Sequence, residues 1–316
     1  MPSPIVNEYY LNAKYWYWNG YKIAWNLKGN ILNQPIVFIH GFGACSAHWR
    51  NNINFFMEKG YSVYSVDLLG FGNSDQPGIG QVGALDNGVW CDQIEDFIKD
   101  VIRPHNSKKI TLIGNSLGSL VAITCAVSIP DQILGVIASP LPDQIKIQKK
   151  YFKIKPLFRK IKNNLIKVFF VLIPIELILL IVVKLRVINL GLNSAYFKKE
   201  KVDKELINII KKPVLRDTAA RSLRAMCIGM STRNDKLKAT YLLNRLCRVE
   251  KIPVLLIWGE KDNFIPLFLG KRIANLYSWV ELKIIPKSGH CVHDEDHKKF
   301  NEISYQWIND LKPLKK

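Results

Sequence analysis

The run Ile110-Thr111-Leu112-Ile113 passes directly into Gly114-Asn115-Ser116-Leu117-Gly118, and an apolar stretch from Leu120 to Val127 follows. No other feature restricts the chain as tightly. A short β-branched and apolar run bounded by glycine reads as a buried strand, and the apolar stretch after it as a helix. The turn between them is too tight for side chains at both ends. The two glycines let Ser116 sit in a strained backbone conformation with its hydroxyl above the sheet. Strand, G-x-S-x-G and helix together form the nucleophile-elbow pattern. A plain Gly/Ser turn gives the same local pattern, so the reading needs partners elsewhere in the chain.

Those partners occur in a fixed order. Upstream, the short strand Ile36-Val37-Phe38-Ile39 leads into His40-Gly41-Phe42-Gly43. An H-G-x-G loop after an early strand supplies a backbone N–H to an oxyanion hole, here that of Phe42, with Leu117 after the serine supplying the second. Downstream, Val254 to Gly259 reads as a strand with Asp262 just past its end, and Leu282 to Ile285 as a strand followed by Ser288-Gly289-His290. Serine, acid and histidine therefore follow one another as Ser116, Asp262, His290. This is the order of α/β-hydrolases, not of the chymotrypsin or subtilisin type. Each residue falls after the C-terminal end of a strand, where open α/β sheets bind ligands. A serine hydroxyl is a weak nucleophile at neutral pH. It needs a neutral imidazole to take its proton and a carboxylate to hold that imidazole's tautomer.

Other residues compete for these roles. Glu260 lies at the strand end itself, with less reach than Asp262, and Asp143 is a weaker alternative acid. His293 follows Cys291-Val292 and is expected to cap or orient its loop, and His297 also lies nearby. His290 is preferred because it comes first after the strand and follows a glycine. His40 is expected to hold the oxyanion loop. His48 is expected at a loop or helix start, with lining of the pocket as its alternative. Trp49 and Trp90 are expected to fill the core.

The order of elements predicts the fold. Tyr15 to Trp18 and Tyr21 to Trp25 flank Asn19-Gly20, a strong hairpin signal. Strand and helix patterns then alternate from Ile36 to Pro140, stop, and resume at Val254. Alternation of this kind implies an α/β fold with a mostly parallel sheet covered on both faces. The expected organisation is a core of residues 1–140 and 251–316 with a helical cap, or lid, of residues 141–250. That gap is too long for a structureless loop.

The gap opens with Lys146, Lys149, Lys150, Lys153, Lys155, Arg159, Lys160, Lys162 and Lys167, and continues as the 16 apolar-rich residues Val168 to Val183. A membrane-spanning helix needs about 20 apolar residues. The run is shorter and contains Pro174 and Glu176, which disfavours a span. It reads as a buried cap helix broken at Pro174 or as a lid dipping into a bilayer interface.

Charge bears on the same question. The chain carries 45 basic and 26 acidic residues, a net +19. An AT-rich genome writes Lys, Asn and Ile often, and attraction to an anionic membrane surface gives the same excess. No nucleic-acid motif accompanies it. The six cysteines show no C-x-x-C pair, against a zinc site or disulfide framework. Cys125 and Cys291 are expected to pack rather than react. No cofactor or metal is implied. The N-terminus shows neither secretory signal nor transit peptide, and a cytoplasmic chain is expected.

The four motifs resemble the α/β-hydrolase superfamily over nearly the whole chain except the gap. The C-terminal stretch, Trp258-Gly259-Glu260-Lys261-Asp262, Pro266 to Lys271 and Ser288-Gly289-His290-Cys291-Val292-His293-Asp294-Glu295, is similar to the pheophytinase and chlorophyll-dephytylase-like group of plants and cyanobacteria. That group reads G-H-C-P-H-D-E where Val292 replaces the proline here, and Ser119 stands where a third glycine is usual. The resemblance implies a cofactor-free serine hydrolase of an ester with a long isoprenoid alcohol, such as the phytyl ester of a chlorophyll derivative, at a membrane surface such as the thylakoid. The lack of a transit peptide points to a bacterial chain. A lipid esterase or acyltransferase would use the same residues, and a non-catalytic binding protein could share the scaffold.

Overall fold

A computed structural model describes residues 13–143, 156–184, 187–249 and 252–311. Lys146, Lys149, Lys150, Lys153 and Lys155 of the basic segment lie outside the described residues.

The chain opens with β1 (Lys14–Trp18) and β2 (Tyr21–Lys28), paired antiparallel with Trp18 opposite Tyr21. Asn19 and Gly20 both adopt positive φ, at 48° and 81°. Two such residues give the turn whose twist matches a hairpin. Next come β3 (Gln34–Ile39), α1 (Ile53–Glu58), β4 (Tyr61–Val66), α2 (Asn87–Phe97), β5 (Ile110–Asn115), α3 (Leu117–Ser128) and β6 (Ile133–Ser139). The carboxylate of Asp86 caps α2 by accepting from Gly88 and Val89 N–H, and the helix runs on through a wider turn to Ile102.

Between β6 and β7 the described residues form helices and no strand. They are α4 (Pro156–Leu172), α5 (Ile175–Lys184), α6 (Val187–Ala195), α7 (Lys204–Val214), α8 (Ala219–Thr232) and α9 (Ala239–Val249). The sheet then resumes with β7 (Val254–Gly259), α10 (Leu267–Leu276) and β8 (Val280–Ile285), and α11 (His297–Asp310) follows.

The eight strands lie in the order β1-β2-β4-β3-β5-β6-β7-β8. The pairs β1–β2 and β2–β4 are antiparallel and all others parallel. This is the mostly parallel sheet with an N-terminal hairpin that the alternation predicts.

Strand residues alternate between two cores, as the pleat requires. Ile36 and Phe38 point with Ile113, Leu255 and Ile257 towards Phe56 of α1 and Phe300 and Trp307 of α11. Val37 and Ile39 point with Leu112 towards Trp90 of α2 and Leu120 of α3. Every residue of β4, β5 and β7 is buried, as expected of parallel strands covered on both faces. Because the strands from β3 onwards run the same way, the loops after β3, β5, β7 and β8 open on one end of the sheet.

Candidate active site

Ser116 sits between β5 and α3 with φ 50° and ψ −113°. A side-chain-bearing residue pays about 1–3 kcal/mol for such a conformation, which persists only where the surroundings hold it. The surroundings do. Ser116 N–H and Asn115 Nδ2 both donate to Ser139 O, at 3.0 and 2.7 Å. Ser119, at the position of the missing third glycine, donates its hydroxyl to Gly114 O and accepts from Ser139 N–H, both at 2.8 Å. A glycine could make neither side-chain bond. The flanking glycines are needed for space. A Cβ on Gly118 would lie 2.1 Å from Ile39 O, and one on Gly114 would lie 2.3 Å from the Gly118 carbonyl carbon.

The loop after β3 leans on this elbow. A Cβ on Gly41 would meet Asn115 Oδ1 at 2.6 Å and Ser116 Cβ at 3.5 Å. His40 ties this loop to the one after β4. Its Nε2 accepts from Leu68 N–H at 3.0 Å, so the ring proton sits on Nδ1, 2.8 Å from Gly41 O. Burial lowers its pKa against the pull of Asp67, keeping the ring neutral. Phe42 is exposed, with its ring edge-on to Phe71. Among the described residues, neither Phe42 N–H nor Leu117 N–H donates to a backbone carbonyl.

Asp262 and His290 meet across the loops after β7 and β8. Asp262 Oδ1 accepts from Phe264 and Ile265 N–H, both at 2.8 Å, while Oδ2 lies 3.0 Å from His290 Nδ1. A carboxylate only accepts, so Nδ1 carries the proton and Nε2 is the basic nitrogen. Both residues are buried, and the exposed Phe264 ring covers the imidazole at 5.2 Å. Ser116 and His290 share no hydrogen bond among the described residues.

The competing residues are placed elsewhere. Glu260 is exposed, accepts from Lys287 N–H and pairs with Lys261. Asp143 pairs with Arg233 and accepts from Ala239 N–H, tying the exit of β6 to α8 and α9. His293 is fully buried, its ring tilted against Trp49 at 4.3 Å and edge-on to His48 at 4.5 Å. Both its ring nitrogens lack partners among the described residues, and burial pushes its pKa far down. It packs among Trp49, His48 and Phe300. His297 is partly exposed at the start of α11. Trp49 and Trp90 are core. So are Cys125 and Cys291, whose thiol burial holds protonated.

His48 lies in a short 3-10 helix, Ser46–Trp49, in the loop after β3, the loop or helix-start position expected of it. It is buried, its Nε2 donating to Tyr196 Oη at 2.8 Å, and Tyr196 donates on to Asp294 Oδ2 at 2.9 Å. Arg50 joins the cluster, donating to Asp294 at 2.8 and 3.0 Å and to Asp203 at 2.8 and 2.9 Å. Burial raises the Asp294 pKa, but Arg50 outweighs it and holds the carboxyl at about 2.

The same segment of the insertion grips the histidine loop. His290 N–H donates to Ala195 O at 2.7 Å, and Gly289 N–H to Glu295 Oε2 at 2.7 Å. The other oxygen of Glu295 accepts from Lys198 N–H. Arg50, Tyr196 and Glu295 are the residues the motif analysis misses. Only the charged Asp294-Glu295-Asp296 run beside His290 hints at them.

Similarity to known proteins bears on the fold and the family. An uncharacterized protein of Mycobacterium tuberculosis is 24% identical over 301 residues, covering 93% of this chain and 80% of the relative. A 2-hydroxy-6-oxononadienedioate/2-hydroxy-6-oxononatrienedioate hydrolase of Pseudomonas is 24% identical over 291 residues, covering 87% and 88%. The crystal structure of a membrane phospholipase A, described as a bacterial virulence factor, superposes with a TM-score of 0.71 at 19% identity, covering 98% of this chain and 90% of that one. The sequence pattern of the alpha/beta hydrolase family matches residues 36–303. With most of its length in that match, the chain belongs to the alpha/beta hydrolase family, and it is a hydrolase.

Proposed function

We propose that the protein cleaves an apolar carboxylic ester with Ser116, His290 and Asp262. Ser116 Oγ attacks the ester carbonyl as His290 Nε2 takes its proton. Asp262 holds the imidazole in the tautomer that presents Nε2 and stabilises the imidazolium. The N–H groups of Phe42 and Leu117 receive the developing oxyanion, each worth on the order of 3 kcal/mol. His290 then passes its proton to the departing alcohol, and water releases the acid from Ser116 by the same steps in reverse. Hydrogen bonds of this kind tighten when substrate binds, so the serine and imidazole join in the substrate complex. The observation that carries the reading is the Asp262–His290 pair, which leaves Nε2 basic at the sheet end where Ser116 is held in strain.

For the substrate we infer a long, apolar alcohol, such as the phytyl group of a chlorophyll derivative, selected by residues 141–250 as a lid on the core. Support comes from the resemblance of the histidine loop to pheophytinase-like enzymes and from the exposed phenylalanines 42, 197 and 264 on loops that carry or touch the site. Esters of this kind reside in bilayers, so we infer an enzyme that works against a membrane surface, on its cytoplasmic side. A panel of esters from short nitrophenyl acyl esters to pheophytin tests the reading. Ser116→Ala and His290→Ala should each abolish turnover while circular dichroism stays native. Unchanged turnover in either variant overturns the mechanism. A folded protein that a fluorophosphonate never labels overturns the enzymatic reading.

A further inference from the structure

Pro174 has no N–H, so the Phe170 carbonyl one turn earlier loses its helical donor. Arg224 of α8 takes the vacant place. Its Nε donates to Phe170 O at 3.0 Å, Nη2 donates to Ile173 O at 3.2 Å, and both terminal nitrogens hold Glu176 at 2.9 Å. The bend of 56° between α4 and α5 is therefore fixed by its own donor set. Ile175 is buried beside it.

The rest of the pair faces outward. At roughly 100° per residue, Ile161, Leu165, Val168, Phe169 and Leu172 fall on one side of α4, and all five are exposed, Leu172 to 75%. Lys160 and Lys167 border that stripe on one edge and Lys162 on the other, all exposed. Leu177 and Ile181 of α5 are exposed as well. A surface helix in a soluble domain ordinarily turns its apolar stripe to the core. Here the stripe turns away, which corrects the buried-cap-helix alternative for this face. No single described helix is long and apolar enough to cross a bilayer.

We propose that the α4–α5 elbow is a membrane-docking surface. It lies in the interface of an anionic bilayer, its stripe among the upper acyl chains and Lys160, Lys162 and Lys167 at the head-group phosphates. An apolar face edged with lysines has the chemistry of that layer. A second copy of the chain fits the face poorly, because pairing two such elbows opposes lysine to lysine on proteins of net charge +19. A straight span would break the Arg224 contacts. The docking deepens the membrane-surface reading of the proposed function and rests on it for its link to catalysis. Its observations involve α4, α5 and Arg224 of α8 and no residue of the triad.

The experiment is co-sedimentation of the full chain with vesicles, read without any turnover. Wild type should bind vesicles of equimolar phosphatidylcholine and phosphatidylglycerol, bind phosphatidylcholine alone weakly, and come off in alkaline carbonate. Replacing Lys160, Lys162 and Lys167 with Gln should lower affinity about fivefold per lysine. The combined Leu165→Ser, Phe169→Ser and Leu172→Ser variant should lower it on the order of 100-fold or more. Both variants should keep wild-type circular dichroism, since every changed side chain is exposed. Failure of hydrolysis in the wild type would leave the vesicle result intact. The proposal is overturned by wild type that stays in the supernatant, by variants that bind as well as wild type, or by bound protein that resists carbonate, which would mean a span. A vesicle-free dimer that the serine variant disperses would assign the face to a second copy and also overturn it.

Discussion

Replacing Asp262 with Asn separates the two tasks of its carboxylate. Oδ1 accepts from two backbone N–H groups and Oδ2 faces His290 Nδ1. An asparagine keeps the first task only with its oxygen on Phe264 and Ile265, which turns its NH₂ towards Nδ1. Two donors cannot face each other, so the imidazole proton moves to Nε2. That nitrogen then has no lone pair for the serine proton. The expected loss is on the order of 10⁴ in kcat, equal to about 5.5 kcal/mol. Stability should change by less than about 1 kcal/mol, because both backbone bonds survive. Asp262→Ala is the contrasting variant. It leaves two N–H groups without an acceptor and should cost about 2–6 kcal/mol of stability as well. Steady-state hydrolysis of a soluble nitrophenyl ester at neutral pH, paired with urea unfolding, measures both quantities. An Asp262→Asn enzyme that keeps most of its wild-type kcat refutes the tautomer argument. So does a Glu260→Gln control that loses activity to the same degree.

Two further outcomes follow from packing and burial. Gly118→Ala should lower stability by more than about 4 kcal/mol, because its Cβ would sit 2.1 Å from Ile39 O and 2.6 Å from His40 O; an unchanged melting temperature would contradict this. Stability should also fall with acid. Burial depresses the His48 pKa from 6.5 to about 4, so between those values the unfolded chain binds the extra proton and stability rises with pH. The His48 contribution is whole above pH 6.5, falls below it, and has lost about 3 kcal/mol at the lower limit. His293 and His40 are depressed in the same direction. Urea midpoints measured across this range should drop towards acid, and His48→Asn should flatten the slope. A level profile in the wild type would count against the buried neutral cluster.

Local chemistry explains what the sequence discloses. A nucleophile elbow is written in five consecutive residues, and the Asn19-Gly20 turn in two, because both depend on backbone conformations that few residues adopt. Asp262 and His290 are legible for a similar reason: each follows a strand end at short range. His48 is not legible, since its partner Tyr196 lies 148 residues away and no period or spacing links them. Arg50 and Glu295 escape in the same way, as charged residues whose role depends on a segment folding over them from the insertion. The run from Val168 to Val183 shows another limit. Its composition announces apolar helices and Pro174 announces a break, but periodicity reports only that one face is apolar. Whether that face turns in or out depends on what the neighbouring helices offer. Ser119 reverses the lesson. Against a glycine pattern it looks like a defect, yet its hydroxyl joins the ends of β5 and β6 beneath Ser116.

The grip of residues 195–198 on the histidine loop limits how this enzyme can be recombined. Ala195 O receives the His290 N–H, and Glu295 bridges Gly289 to Lys198. A chimera that transplants a relative's whole stretch between β6 and β7 would therefore discard the residues that hold the loop of His290. Productive crossover points lie before α6 and after Glu205, with the intervening stretch inherited together with the C-terminal loop as one module.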